Sequence, residues 1–194
     1  VNPHRLATQF NRLLKDWRGE TPEPKPLSEP QRGYLPIMQQ TAQVHIGLAW
    51  DAPHEADPTS MIERLGVNVL SGSTSGRLFT EVRQKRSLCY SVGASYRAGR
   101  DTGMISLYAG TTPERAQQTL DVCAEQIDLM RAGVTEDEFR RAVIGLKSAQ
   151  VMQGESTPAR AAALVYDQFR LGRARSLEEI AAEVDAITIE RLNE

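Results

Sequence analysis

The chain has 194 residues, of which 40% are hydrophobic, and it carries 23 basic and 25 acidic side chains for a net charge of -2. Because neither sign of charge gathers into a long block, the composition does not favour binding to nucleic acid or to an anionic membrane. No apolar run approaches the roughly 20 residues of a transmembrane helix, so we expect no membrane-spanning segment. The chain begins at Val1 rather than Met and ends in a helix-start pattern at Thr188, so we expect a piece of a longer protein.

The N-terminal part predicts a helix, a linker and a strand, in that order. Within residues 3–18, apolar side chains recur at helical spacing, and the Pro-rich stretch 21–30 predicts an extended linker. Apolar and polar residues then alternate over residues 41–50, which places His45 on the polar face of a half-buried strand. Asp57-Pro58 predicts the start of a helix that ends near Leu70.

The remainder of the chain predicts two strands followed by helices. We expect a short helix from Gly76 to about Arg86, and then strands over 88–98 and 103–110 that form an antiparallel hairpin. Four helix starts follow, each marked by a Ser or Thr that can cap the helix: Thr112, Thr135, Ser156 and Ser176. Strands first and helices later predict an α+β fold, with helices packed on one face of a mainly antiparallel sheet.

The stretch Ser71 to Gly76, SGSTSG, is similar to a phosphate-binding loop but lacks its essential features. A P-loop has the pattern GxxxxGK followed by Ser or Thr, between a strand and a helix. Here the spacing from Gly72 to Gly76 is one residue short, Arg77 replaces the lysine, and a helix precedes the turn. The sequence therefore favours a flexible loop that lets backbone approach a ligand, or a simple turn between helices.

Metal binding and nucleophilic catalysis find no support in the residue pattern. The histidines are His4, His45 and His54, and no two of them have the spacing of an HExxH or HxxEH zinc motif. There is no GxSxG motif, and neither Cys89 nor Cys123 has a histidine nearby, so we interpret both as buried, inert thiols.

Arg83 and Tyr90 are seven residues apart and have two interpretations on composition alone. Tyr90 shares the parity of Leu88 and Val92 in the predicted strand, which favours a core tyrosine with its hydroxyl at the edge. Arg83 would then be a surface charge on a helix. The other interpretation is that both side chains serve a ligand.

The run Gly76 to Val92, GRLFTEVRQKRSLCYSV, strongly resembles the non-catalytic, C-terminal-type half-domain of the pitrilysin/insulinase family of zinc peptidases, the inverzincins. The family includes the mitochondrial processing peptidase and bacterial two-domain zinc proteases. The resemblance extends from about Thr41 to the C-terminus, through further segments in the same order: Asp101 to Gly103, Tyr108 to Pro113, Gly133 to Glu138, Glu155 to Thr157 and Asp185 to Thr188.

The resemblance implies a molecule built from two similar α+β halves that close around an unfolded peptide. One half carries HxxEH and the zinc, and the other half lacks both. This chain resembles the second half, which implies no metal site or cofactor in this chain and zinc in the partner half. Residues 1–19 would be the trailing helix of the preceding half, 20–38 a linker with the strand leading into the next half, and 39–194 the inactive peptidase half-domain.

The same resemblance implies roles for individual residues. Family members carry an arginine and a tyrosine seven residues apart that project toward the zinc of the other half, and Arg83 and Tyr90 match that spacing. A phenol and a guanidinium can donate hydrogen bonds to the carbonyl oxygen of a peptide under attack, or hold the substrate backbone. We further expect contacts with substrate from five residues: His45, Ser71, Gly72, Ser73 and Gly76.

The implied function is the substrate-binding, active-site-completing half of a zinc metalloendopeptidase, inactive alone. Its partners would be the HxxEH-bearing half, in the same polypeptide or a separate subunit, and an unfolded peptide substrate. The alternative is a non-enzymatic scaffold or partner subunit of the same fold. Family habit favours a periplasmic location, with a cytoplasmic one as the alternative.

Overall fold

A computed structural model describes residues 2–20 and 32–194, and the chain divides into two compact units, 1–39 and 40–194. The first unit contains α1 (Pro3–Leu13), and the other elements lie in the second unit. The strands are β1 (Val44–Ala52), β2 (Cys89–Ala98) and β3 (Gly103–Thr111). The remaining α-helices are α2 (Ser60–Ser71), α3 (Ala116–Arg131), α4 (Glu136–Glu155), α5 (Thr157–Leu171), α6 (Leu177–Asp185) and α7 (Ile189–Leu192). Short 3-10 turns cover Ser73–Ser75 and Pro113–Arg115, and a π-helix covers Phe79–Gln84.

The three strands form one antiparallel sheet in the order β1-β3-β2. Leu48 and Ala94 both lie opposite Leu107 of the central strand, so their side chains share one face of the sheet. That face carries Ile46, Leu107 and Ala109 into the hydrophobic core. The expected α+β fold, with helices on one face of an antiparallel sheet, is confirmed.

The core of the second unit consists of two hydrophobic clusters. One joins the sheet to α2, α3 and the π-helix, and its buried members are Leu70, Leu78, Val82, Leu88, Leu107, Ala109, Val122 and Cys123. The other lies between α2 and α4 around Leu65, Val69, Val134 and Ala142. Since helix α2 contributes to both clusters, it links the sheet to the helical layer.

Several helix boundaries follow from local side-chain chemistry. The hydroxyls of Thr135 and Ser176 accept hydrogen bonds from the backbone N–H groups of Glu138 and Glu179. Each glutamate carboxylate in turn accepts a bond from the backbone N–H of the cap residue, which completes two capping boxes. Gly172 ends α5 in a left-handed conformation with φ of 72°, where glycine has no steric penalty. Both capping boxes and the Gly172 stop agree with the sequence predictions.

The structure adds detail to three sequence-based expectations for single elements, of which the start of α2 is wrong. The strand expected within 20–38 does not form among residues 32–38, and the first strand begins at Val44; residues 21–31 lie outside the described part of the chain. Helix α2 begins at Ser60 rather than at Asp57, because the Asp57 carboxylate accepts hydrogen bonds from Thr59 and holds residues 57–59 in a turn. The short helix expected from Gly76 to about Arg86 forms, and its residues Phe79–Gln84 have the wide hydrogen-bond spacing of a π-helix.

A buried ion cluster joins the loop after β1 to the C-terminal helices. Glu55, 5% exposed, accepts hydrogen bonds from Arg175 at 2.8 Å and from Arg64 at 3.0 Å. Arg175 also donates to Asp167 and to Glu183. We call these five residues the Glu55–Arg175 cluster. It connects sequence positions 120 residues apart.

No helix within residues 2–20 and 32–194 combines the length and apolar character needed to cross a bilayer.

Candidate functional site

Arg83 lies on the exposed side of the π-helix. Lys85 N–H donates to the Thr80 carbonyl at 2.9 Å, five residues back, and this wide turn brings Val82 fully into the core while Arg83 faces outward. The guanidinium stacks over the Phe79 ring, with its carbon 5.2 Å from the ring centre. π-turns are rare and occur often at functional sites, so the turn that presents Arg83 is itself an indication of function.

A tight turn and a β-bulge carry the chain from Arg83 to Tyr90. Ser87 adopts a left-handed conformation with φ of 51°, and the Leu88 N–H donates to the Val82 carbonyl at 3.0 Å. In the sheet register Cys89 lies opposite Thr111 and Ser91 opposite Gly110, which leaves Tyr90 as the extra residue of a bulge. The bulge interrupts the strand parity, and Tyr90 is 57% exposed. The interpretation of Tyr90 as a core residue is therefore wrong.

Arg83 and Tyr90 line the same cavity, of about 240 Å³. The full lining is Arg83, Ser87, Leu88, Cys89, Tyr90, Thr112 and Arg115. Within the described part of the chain, no residue accepts a hydrogen bond from the Arg83 guanidinium or the Tyr90 hydroxyl. The structure thus brings the two predicted residues together and leaves the donors of both available to a ligand.

Arg115 is a member of this cavity that the sequence analysis missed. Its Nη1 donates to the Ser87 carbonyl at 2.6 Å, across 28 residues of sequence. This hydrogen bond connects the 3-10 turn Pro113–Arg115, which precedes α3, to the turn between Arg83 and Tyr90. A run of residues such as TTPER signals only a helix start, so no local pattern could have pointed to this role.

The Leu88 carbonyl, just before the bulge, is held by the buried hydroxyl of Thr111, which donates to it at 2.5 Å. Thr119, also fully buried, has a single hydroxyl proton, and its oxygen lies closer to the Arg115 carbonyl, at 2.8 Å, than to the Leu88 carbonyl, at 3.2 Å. The bond from Thr111 gives the backbone that leads into Tyr90 a defined position.

His45 lies on the opposite, open face of the sheet. Its Nδ1 is 2.7 Å from the Tyr108 hydroxyl and the two rings stack, with centres 5.8 Å apart. A Cβ at Gly110 would lie 2.9 Å from the Tyr108 hydroxyl and 3.2 Å from the Ser91 hydroxyl, so any other residue at this position would displace the phenol. The prediction of a substrate contact by His45 stays a prediction, and Tyr108 is a neighbour that the sequence analysis did not single out.

The turn Ser71 to Gly76 has a structural explanation for most of its residues. The Ser71 hydroxyl accepts a hydrogen bond from the Ala94 N–H at 2.7 Å, on the outer edge of β2. A Cβ at Gly72 would lie 2.3 Å from the Asn68 carbonyl, and one at buried Gly76 would lie 2.8 Å from the Gly72 nitrogen. Ser73 is exposed and has a φ of 55°. Tight packing thus accounts for both glycines, and contact between these residues and substrate stays a prediction.

The two cysteines have no features of nucleophiles. Burial raises the pKa of Cys123 to about 12, with a further contribution from the neighbouring Cys89. Burial also raises the pKa of Cys89, against an opposing effect of the Arg83 charge. Both are free thiols; Cys123 is buried as predicted, whereas Cys89 is only partly buried and lines the cavity.

No group of three or more His, Cys, Asp or Glu side chains within residues 2–20 and 32–194 has an arrangement that could hold a metal ion. The described residues therefore do not fit a zinc site of their own.

A sequence model of the peptidase M16 inactive domain matches residues 1–146 of the 194. The chain belongs to this family. Because the match includes residues 1–19, the assignment of that segment to a preceding half stays a prediction.

Two bacterial relatives carry names that agree with this assignment. An uncharacterized zinc protease of Bacillus subtilis, YmxG, is 34% identical over 127 residues, which cover 65% of this chain and 31% of that protein. An uncharacterized zinc protease of Streptomyces coelicolor is 32% identical over 154 residues, 78% of this chain and 33% of that protein. This M16 domain thus spans about a third of the length of these relatives, and zinc is supported for the family.

Among solved structures, a chain of complex III2 from Candida albicans, determined with Inz-5 bound, has the same fold. It superimposes with a TM-score of 0.85 at 18% identity, over the whole of this chain and 48% of that chain. At this level of identity the likeness concerns the fold alone.

Proposed function

We propose that this M16 domain is the substrate-binding, active-site-completing half of a zinc metalloendopeptidase. Its partner would be a half that carries HxxEH and the zinc, in the same polypeptide or in a separate subunit. The observation that carries the proposal is the cavity in which Arg83 and Tyr90 present hydrogen-bond donors that no described residue uses. Inactive domains of this family imply such a catalytic partner.

The chemistry assigned to this chain is hydrogen-bond donation to an unfolded peptide. When a peptide carbonyl is attacked, negative charge develops on its oxygen, and donors already oriented toward that oxygen stabilise the charge without further reorganisation. The Arg83 guanidinium supplies a permanent positive charge and the Tyr90 phenol a neutral O–H donor. The π-turn and the bulge present both groups to solvent, while Val82 and Leu88 next to them are anchored in the core.

The test uses the complete assembly, with the HxxEH-bearing half present, and an unstructured peptide substrate. Arg83→Ala and Tyr90→Phe should each lower kcat/KM by about a hundredfold or more, the loss typical for removal of one oxyanion donor, with zinc content unchanged. Arg131→Ala and Tyr166→Phe are matched controls, since both side chains are exposed on helices α3 and α5, outside the cavity, and turnover should be unchanged. Equal turnover in the native assembly and both cavity variants would leave the non-enzymatic scaffold as the better function.

A further inference from the structure

The cavity that holds Arg83 and Tyr90 contains two guanidinium groups, those of Arg83 and Arg115, and no carboxylate in its lining. The other lining residues are neutral. Two like charges at the wall of one small cavity repel each other unless an anion lies between them or solvent screens them. The lining therefore has the electrostatic character of a site for a negatively charged group.

Two acidic residues neighbour Arg83 and Arg115 in the chain, and within the described residues neither forms a salt bridge with these arginines. Glu81 accepts hydrogen bonds from Lys85 and Arg86, both at 2.7 Å. The pKa of Glu114, adjacent to Arg115, is lowered by its own backbone N–H, by the Thr112 side chain and by the Arg115 charge. Around the cavity, four basic side chains (Arg83, Lys85, Arg86 and Arg115) outnumber these two acidic ones.

Arg115 has a fixed position and retains donors. One of its terminal nitrogens is held by the Ser87 carbonyl at 2.6 Å, and its own carbonyl accepts a hydrogen bond from Thr119 at 2.8 Å. A guanidinium has five N–H donors in a planar fork that matches the two oxygens of a carboxylate. The contact with Ser87 thus orients the fork and leaves other N–H groups to bind a ligand.

We infer that this cavity binds a carboxylate of the peptide substrate and that Arg115 determines this specificity. The inference rests on the proposed function, and it adds the chemical class of the substrate group. Two sources supply a carboxylate on a peptide: an Asp or Glu side chain, or the free C-terminus. Arg83 would share the anion with Arg115 or donate to the neighbouring carbonyl, whereas Arg115 contacts only the carboxylate.

The experiment compares pairs of unstructured peptides that differ by one charge. The peptides of the first arm have an amidated C-terminus and carry a single Glu, which is moved from position to position. Each is compared with the peptide that has Gln at the same position. In the second arm, a peptide without acidic residues is compared in its free-acid and amidated forms. The measurements are kcat/KM with the complete assembly and the Kd by fluorescence anisotropy with the metal-stripped assembly, which does not depend on turnover.

We expect one arm to show a preference for the carboxylate of about fivefold in both measurements, as fits an ion pair at a partly exposed site. Arg115→Gln should reduce that ratio to about one, and Arg115→Lys should retain part of it. Arg131→Gln is the control, at the C-terminal end of helix α3, which Arg115 precedes; its side chain is 84% exposed, and the variant should keep the native ratio. If Arg115 were only structural, its loss would weaken both peptides of a pair equally.

Two results would overturn the inference: equal use of charged and neutral peptides in both arms, or a preference that persists in Arg115→Gln. Either result can occur while Arg83→Ala and Tyr90→Phe still abolish turnover, so the carboxylate site and the proposed function fail separately. A preference confined to the first arm assigns the site to an acidic side chain, and one confined to the second arm assigns it to the C-terminus.

Discussion

Two regions of this domain are rich in arginine, and they differ in what the guanidinium groups contact. In the Glu55–Arg175 cluster, Arg175 is buried and meets three carboxylates, with distances of 2.8 to 3.0 Å. In the cavity beside β2, Arg83 is exposed and contacts only an aromatic ring among the described residues. Buried charges need partners, whereas exposed charges without partners cost little and stay available.

The contrast separates arginines with carboxylate partners from arginines without them. The hydrogen bonds that Arg175 donates to Asp167 and Glu55 raise its pKa despite its burial, so this side chain is charged at all accessible pH values. Burial alone would raise the pKa of Asp167, but the hydrogen bonds and the charge of Arg175 outweigh burial and lower it. The charges of that cluster are thus paired within the fold, whereas no described residue accepts a hydrogen bond from the Arg83 guanidinium or the Tyr90 hydroxyl.

The largest expected effect on stability comes from breaking the buried cluster. Arg175→Met leaves Glu55 and Asp167 as buried carboxylates without their main partner and should lower the free energy of unfolding by about 3–5 kcal/mol. Arg173→Met is the matched control two residues away, where the pair with Glu179 is exposed and its loss is expected to have a much smaller effect. Chemical denaturation of both variants measures the difference. Equal losses would mean that burial does not distinguish the two pairs.

An intermediate effect is expected at the Arg77–Glu138 pair, which is partly buried. Arg77 donates to both carboxylate oxygens, at 2.7 and 2.9 Å. These bonds, with those from Thr135, lower the pKa of Glu138 from 4.5 to about 2, against the effect of burial. Because the folded-state pKa is depressed, the stabilisation is complete above about pH 5 and is lost as pH falls from there toward 2.

Glu138→Gln should therefore lower the free energy of unfolding by about 2 kcal/mol at pH 7, and by progressively less as the pH is lowered toward 3. Denaturant titrations at several pH values test this. Glu136→Gln, at an exposed position in the same first turn, should show a small and nearly constant cost. A pH-independent loss in Glu138→Gln would show that the pair does not depend on the ionised carboxylate.

The smallest effect on stability is expected at Arg83 and Tyr90, the two residues to which the proposed function assigns contact with substrate. Arg83→Gln and Tyr90→Phe should change the free energy of unfolding by less than about 0.5 kcal/mol, because neither side chain has a described hydrogen-bond partner to lose. Val82→Ala, at the fully buried neighbour of Arg83, should cost about 2 kcal/mol. A large loss of stability in Tyr90→Phe would contradict the assignment of its hydroxyl to substrate.

Much of the fold was accessible from local patterns. The alternation around Ile46 and Leu48 predicted β1, and Thr135 and Ser176 predicted two helix starts that the capping boxes confirm. Such signals involve residues within one or two turns of each other, so one sequence contains all of the information. The pairing of Arg83 with Tyr90 was predicted from family resemblance, and the structure adds the shared cavity.

Other features depended on contacts between distant segments. The bulge at Tyr90 arises from the register of β2 on β3, and counting strand parity along the chain placed its side chain on the wrong face. The role of Arg115 requires a contact with Ser87, 28 residues away, and Glu55 meets Arg175 across 120 residues. No helical or strand period carries information about partners at such separations.

By itself, the sequence determined which segments are helices or strands, where the capping residues start helices, and to which family the arginine–tyrosine spacing belongs. These properties follow from backbone preferences and side-chain periodicity within short segments. Only the tertiary structure decided which charges are buried with partners and which remain open. Burial and pairing depend on how the sheet, the π-turn and the helices pack, and that packing separates the closed Glu55–Arg175 cluster from the open cavity of Arg83, Tyr90 and Arg115.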